Sequence, residues 1–114
     1  ALARANWSMP PDHGAAIVRT ILDSPELTAS WRAELDAMRL RILSVREGAA
    51  ACDPALASLT QQTGMFSMLP LSPDQIRTLR EVHAVYMAGS GRINVAGLTP
   101  DAIPAFAAAA AAVR

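Results

Sequence analysis

Ser90-Gly91-Arg92-Ile93-Asn94-Val95-Ala96-Gly97 reads as a glycine turn running into a strand. Ile93 and Val95 alternate with Arg92 and Asn94, so a period of two puts the apolar pair on one face and the polar pair on the other. Gly89 and Gly91 flank Ser90, where a tight turn can take positive φ without Cβ strain. The preceding Val85-Tyr86-Met87-Ala88 has strand character, which predicts a hairpin with Arg92 beside its turn. An arginine held there offers a planar fork of donors that suits a carboxylate. On local evidence alone, a turn arginine is ordinarily just solvated.

Working upstream, Met65-Phe66-Ser67-Met68-Leu69 reads as a second strand, entered from Gly64 and closed by Pro70. Ser72-Pro73-Asp74-Gln75 is a capping box with proline at the first helical position, and Ile76, Leu79 and Val82 follow on one face. Ser24 and Pro25 open a longer helix in which Leu27, Trp31, Leu35, Met38, Ile42 and Val45 recur every three or four residues. Twenty residues or so make a rod of about 30 Å, which either frays near Glu47-Gly48 or runs on through Ala49 to Ala51, and the seam reads as packing, with Arg46 on another face. Ahead of it, Asp12 is a candidate cap for a helix carrying Ile17, Val18, Ile21 and Leu22. Gly14 in the first turn of that helix implies close backbone packing, and Met9-Pro10-Pro11 before it implies an extended path. Residues 55–63 are ambiguous between a short helix and a loop. Downstream, Thr99-Pro100-Asp101 opens the last helix, which Pro104 must bend or delay, and the alanine run that follows favours helix. The predicted fold is α/β of an α+β-like kind: a long helix and shorter helices packed on a small three-stranded sheet.

A chain of 114 residues is one domain's worth and buries about two-thirds of its unfolded surface. Ten basic residues balance ten acidic ones, so no net charge points to nucleic acid or an anionic membrane. The alanine run is too short and too weakly apolar to span a bilayer. Cys52 stands alone, which excludes an internal disulfide and fits a reducing, cytoplasmic location, and no leader-like segment opens the chain. His13 and His83 lie far apart without paired-ligand spacing, so no metal site is expected. All ten basic residues are arginines; there is no lysine. The chain assembles no complete active site, and lacking an initial methionine it reads as a piece of something larger.

Three phrases occur in one order: Trp7-Ser8-Met9-Pro10-Pro11-Asp12-His13-Gly14-Ala15, Gly64-Met65-Phe66-Ser67, and Ser90-Gly91-Arg92-Ile93-Asn94-Val95-Ala96-Gly97-Leu98-Thr99. Together they resemble the C-terminal part of the fold-type I, class I pyridoxal phosphate enzymes, the aspartate and aromatic amino acid aminotransferases. The resemblance implies that residues 1–24 are the tail of a large cofactor domain (strand end, loop and helix) and residues 25–114 a small C-terminal domain. It implies that Arg92 pairs with the substrate α-carboxylate, that Arg4 reaches across a homodimer to a distal carboxylate, that Phe66 lines the substrate side of the pocket, and that Ser8 lies in a loop entering the neighbouring subunit's site. Met9 stands where aspartate enzymes usually carry asparagine, which fits a pocket accepting aromatic substrates. The family's Schiff-base lysine has no counterpart here, so no catalytic or cofactor-binding residue is expected in this chain, which alone would be inactive. The intact enzyme would exchange amino groups between an aromatic or acidic amino acid and a 2-oxo acid. The competing expectation is a non-catalytic α/β module acting only by association.

Overall fold

The computed structural model describes residues 2–114, with side chains from residue 4 onward; Ala1, at the head of the expected cofactor-domain tail, lies outside the described residues. It divides into two compact units, residues 1–37 and residues 38–114.

In the first unit, α1 (Leu2–Trp7) is helical where the end of a strand was expected. Alanine, leucine and arginine all favour helix, and among the described residues no strand of this unit exists to pair with. Ser8, at φ 53°, stops α1 by turning left-handed, and its N–H donates to the Arg4 carbonyl at 2.9 Å. Next comes α2 (His13–Asp23), which starts without help from the Asp12 side chain. Gly14 has open space where a Cβ would go, so it serves no close packing. Ser24 does cap the next helix, accepting from the Leu27 N–H at 3.2 Å, while Thr28 bonds back to the Ile21 carbonyl at 2.7 Å.

That helix, α3 (Pro25–Cys52), runs 28 residues, about 42 Å at 1.5 Å per residue, the longer of the two ends the sequence allowed. The expected seam is only partly a core. Leu27, Trp31, Leu35 and Met38 are exposed, and burial begins at Ile42 and Val45. Among the described residues, nothing covers these turns of the stripe.

The second unit builds its core from Val45 and Ala49 of α3, Leu56 and Leu59 of a 3-10 helix (Pro54–Gln61), Leu69, Val95, and Ile103, Phe106 and Ala107 near the C-terminal end. Asp53 caps the 3-10 helix through Ala55 N–H and also pairs with Arg114. The capping box on α4 (Pro73–His83) forms as expected: Ser72 Oγ accepts from Gln75 N–H at 3.2 Å, and Gln75 Oε1 accepts from Ser72 N–H at 2.8 Å. Ile76 and Leu79 are buried, but Val82 is 71% exposed and leaves the expected face one turn early. Pro104 delays the last helix rather than bending it: a 3-10 turn (Pro100–Ala102) precedes α5 (Ile103–Ala112).

The sheet has two strands, not three. β1 (Phe66–Met68) pairs antiparallel with β2 (Arg92–Asn94), with Phe66 opposite Asn94, Ser67 opposite Ile93 and Met68 opposite Arg92. Residues 85–88 carry strand-forming side chains but make only one ladder-like bond to β2, from Ala88 N–H to the Arg92 carbonyl at 3.1 Å. Immediately before them, Ala84 turns left-handed at φ 53° to end α4. Val85 N–H is thereby committed to the Leu79 carbonyl at 2.9 Å instead of a strand.

Candidate functional site

The period of two sorts the sheet's side chains by face. Phe66, Met68, Arg92 and Asn94 are exposed, while Ser67 is buried and Ile93 half-buried on the opposite face. Phe66 and Arg92 are diagonal neighbours across the pair, close enough for long side chains to meet. They do meet: the Arg92 guanidinium carbon lies 5.0 Å from the centroid of the Phe66 ring, in cation–π range. Among the described residues no carboxylate pairs with Arg92, so its donor edge remains available.

Gly91 sets the direction of Arg92. At φ +82° it bends the chain, donating to the Ala88 carbonyl at 2.9 Å and accepting from Leu69 N–H at 2.9 Å. A side chain here would collide with the Leu69 carbonyl oxygen. Past β2, Asn94 Oδ1 accepts from Ala96 N–H at 3.1 Å, and Arg41 of α3 donates to the Ala96 and Leu98 carbonyls at 3.0 and 3.1 Å. Both ends of the segment bearing Arg92 are thus tied down. An open groove of about 360 Å3 runs beside it, lined by Phe66, Tyr86, Met87, Arg92, Ile93 and Asn94. One cation over an aromatic floor, with an amide and a phenol alongside, suits an organic anion carrying an apolar body.

Of the four residues singled out by sequence, the structure brings together Phe66 and Arg92. Arg4, exposed on α1, and Ser8 belong to the other unit. Sequence reasoning placed Arg46 wrongly. The residue is 1% exposed, and burial lowers its pKa from the ordinary arginine value. The available signal was its place at the fourth residue after Ile42, beside Val45 and three before Ala49, within an apolar stripe of i, i+3, i+4, i+7 spacing. Cys52 is exposed, and among the described residues no three His, Cys, Asp or Glu gather as a metal site would require. No helix there is long and apolar enough to cross a membrane.

Residues 1–109 match the family model for aminotransferase class I and II. The chain belongs to that family. It is 54% identical over 101 residues to a tyrosine aminotransferase of Rhizobium meliloti, covering 85% of this chain and 26% of that protein. Against an aspartate aminotransferase of Escherichia coli K12 the identity is 43% over 107 residues, covering 89% and 27%. Among solved structures, the aromatic-amino-acid aminotransferase of Burkholderia pseudomallei, covalently bound to pyridoxal phosphate, superposes with a TM-score of 0.91 at 42% identity, covering 96% of this chain and 29% of that one. The chain therefore spans less than a third of these aminotransferases, and its fold is that of a part of a fold-type I enzyme.

The residues present do not fit the cofactor itself. A covalent imine to pyridoxal phosphate needs a lysine amine, and the sequence holds no lysine. The groove beside Arg92 offers a guanidinium, an amide and a phenol, none of which can form that bond.

Proposed function

We propose that these 114 residues are the carboxy-terminal portion of a pyridoxal phosphate-dependent aminotransferase, and that their part of the reaction is to hold the substrate. Arg92 takes the α-carboxylate of an amino or 2-oxo acid as a bidentate pair, with Phe66 beneath the guanidinium keeping its plane oriented. The substrate side chain lies along the apolar part of the groove, against Met87 and Tyr86. Residues 25–114 make up the small domain, and residues 1–24 complete the large one. From those residues Arg4 and Ser8 serve the neighbouring subunit's site in a cytoplasmic homodimer, with Arg4 answering a distal carboxylate when the substrate is acidic. The lysine that anchors the cofactor lies in the remainder of the enzyme.

The Phe66–Arg92 pair on a glycine-fixed turn is the observation that carries this reading. Orientation is what such a clamp contributes: a substrate held by its carboxylate presents its amino group at one place, and little freedom is left to lose at the reacting step. The test compares full-length protein with the isolated 114 residues, each supplied with pyridoxal phosphate, tyrosine or aspartate, and 2-oxoglutarate. Turnover by the full-length protein and none by the isolated chain is the expected result. Turnover by the chain alone, or none by the full-length protein with either amino acid, overturns the reading.

The exposed stripe Leu27, Trp31, Leu35 and Met38 favours a second reading, a module that acts by association without catalysis. Inactivity of the full-length protein together with tight self-association of the chain would select it.

A further inference from the structure

We infer that Arg46 is a positioning residue for the Phe66–Arg92 pair, holding β1 from behind so that the ring meets the guanidinium. Its relevance to substrate rests on the carboxylate-clamp reading above. The geometry itself does not.

All four terminal N–H donors of Arg46 have acceptors. Nη1 reaches the Leu59 carbonyl at 2.8 Å and Ser67 Oγ at 2.5 Å; Nη2 reaches the Gly64 carbonyl at 2.8 Å and the Phe66 carbonyl at 3.2 Å. Every partner is a neutral oxygen, and among the described residues no carboxylate offsets the buried charge. A cation taken out of water on those terms depends on those four bonds, so the four acceptors are drawn to it and fixed by it. Three of them surround one residue: the carbonyl two positions before Phe66, the carbonyl of Phe66, and the hydroxyl of the residue after it. The Phe66 ring projects from the opposite face of this grip, toward Arg92.

The other edge of β1 is held by a side chain acting as a strand. Gln62 Oε1 accepts from Met68 N–H at 3.0 Å, and Gln62 Nε2 donates to the Met68 carbonyl at 3.4 Å. Sliding along β2 would move Phe66 past Arg92, and the Arg46 contacts oppose that motion because they are specific to one register. Lysine cannot replace it, since three donors from a single point do not span four acceptors on two segments.

The experiment is proton–carbon NMR of the 114-residue chain, reading the ring-current shift that Phe66 imposes on the Arg92 side-chain protons. Phe66→Leu supplies the value for complete loss, and the amide signals of α4 report whether the unit stays folded. Arg46→Met and Arg46→Lys are both expected to lose most of the Arg92 shift while α4 keeps its dispersion. Unchanged Arg92 shifts in a folded Arg46→Met chain, or no ring-current shift in the parent chain, overturn the inference. Where Arg46→Met unfolds the chain, Ser67→Ala decides: a reduced Arg92 shift supports the inference and an unchanged one overturns it. Neither outcome depends on substrate, so this inference can fail while the carboxylate clamp stands, and the converse holds too.

Discussion

Gly91 and Leu69 approach back to back: Leu69 donates its N–H to the Gly91 carbonyl at 2.9 Å, while the Leu69 carbonyl fills the space a Cβ on Gly91 would need. Gly91→Ala therefore faces two penalties, the left-handed φ of +82° and the collision with backbone. We expect a loss of about 2 kcal/mol or more, read from the urea midpoint. Gly89→Ala meets nothing within 4 Å and has no positive φ, so it should stay within about 0.5 kcal/mol of the parent. Equal losses at the two glycines would mean the turn is not built as described.

Ala84 ends α4 at φ 53° and ψ 28°, a conformation glycine adopts freely. Replacing it by glycine relieves about 1–2 kcal/mol of left-handed strain and adds about 0.5–1 kcal/mol of chain entropy to lose. The net expectation for Ala84→Gly is a gain of about 0.5–1 kcal/mol, visible as a raised Tm. A lowered Tm would contradict the left-handed cap.

Gln75 serves twice. It closes the capping box with Ser72 and donates to the Val113 carbonyl at 2.7 Å, joining the start of α4 to the end of α5. Ser72→Ala should cost about 1 kcal/mol, the usual price of a lost cap. Gln75→Ala should cost about 1–2 kcal/mol, since two bonds go, and the double variant less than the sum because the box is shared. Strict additivity in denaturant titrations would argue against the reciprocal box.

Local chemistry was legible in the sequence. The capping box at Ser72 and Gln75, the Ser24 cap, the alternation in β2 and the displacement caused by Pro104 all depend on residues within one turn of each other. Part of what failed was local as well, since Asp12 does not cap α2 and the Ala84 turn takes residue 85 out of a strand; the rest depended on partners distant in the chain. Residues 85–88 have the side chains of a strand, but the sheet ends with β2 because the Ala84 cap takes the Val85 N–H for α4. The place of Arg46 inside the apolar stripe of Ile42, Val45 and Ala49 hinted at burial, but its acceptors at Leu59, Gly64, Phe66 and Ser67 come round only in the fold. The seam of α3 was read correctly as apolar, yet periodicity cannot say which of its turns is covered within this chain. For the site, the glycine turn and its arginine were visible locally. Putting Phe66 beneath Arg92 required the pairing of strands 24 residues apart by their opposed residues Met68 and Arg92.

The central claim is that Arg92 recognises a carboxylate, and comparing two substrates that differ only there tests it most directly. In the full-length protein, kcat/KM would be measured for tyrosine and for tyramine, which lacks the carboxylate, with and without Arg92→Leu. The account predicts that Arg92→Leu lowers kcat/KM for tyrosine by about 100-fold or more, leaves tyramine near its parent value, and so collapses the preference for the carboxylated substrate. A tyrosine-to-tyramine preference that survives Arg92→Leu unchanged would contradict it.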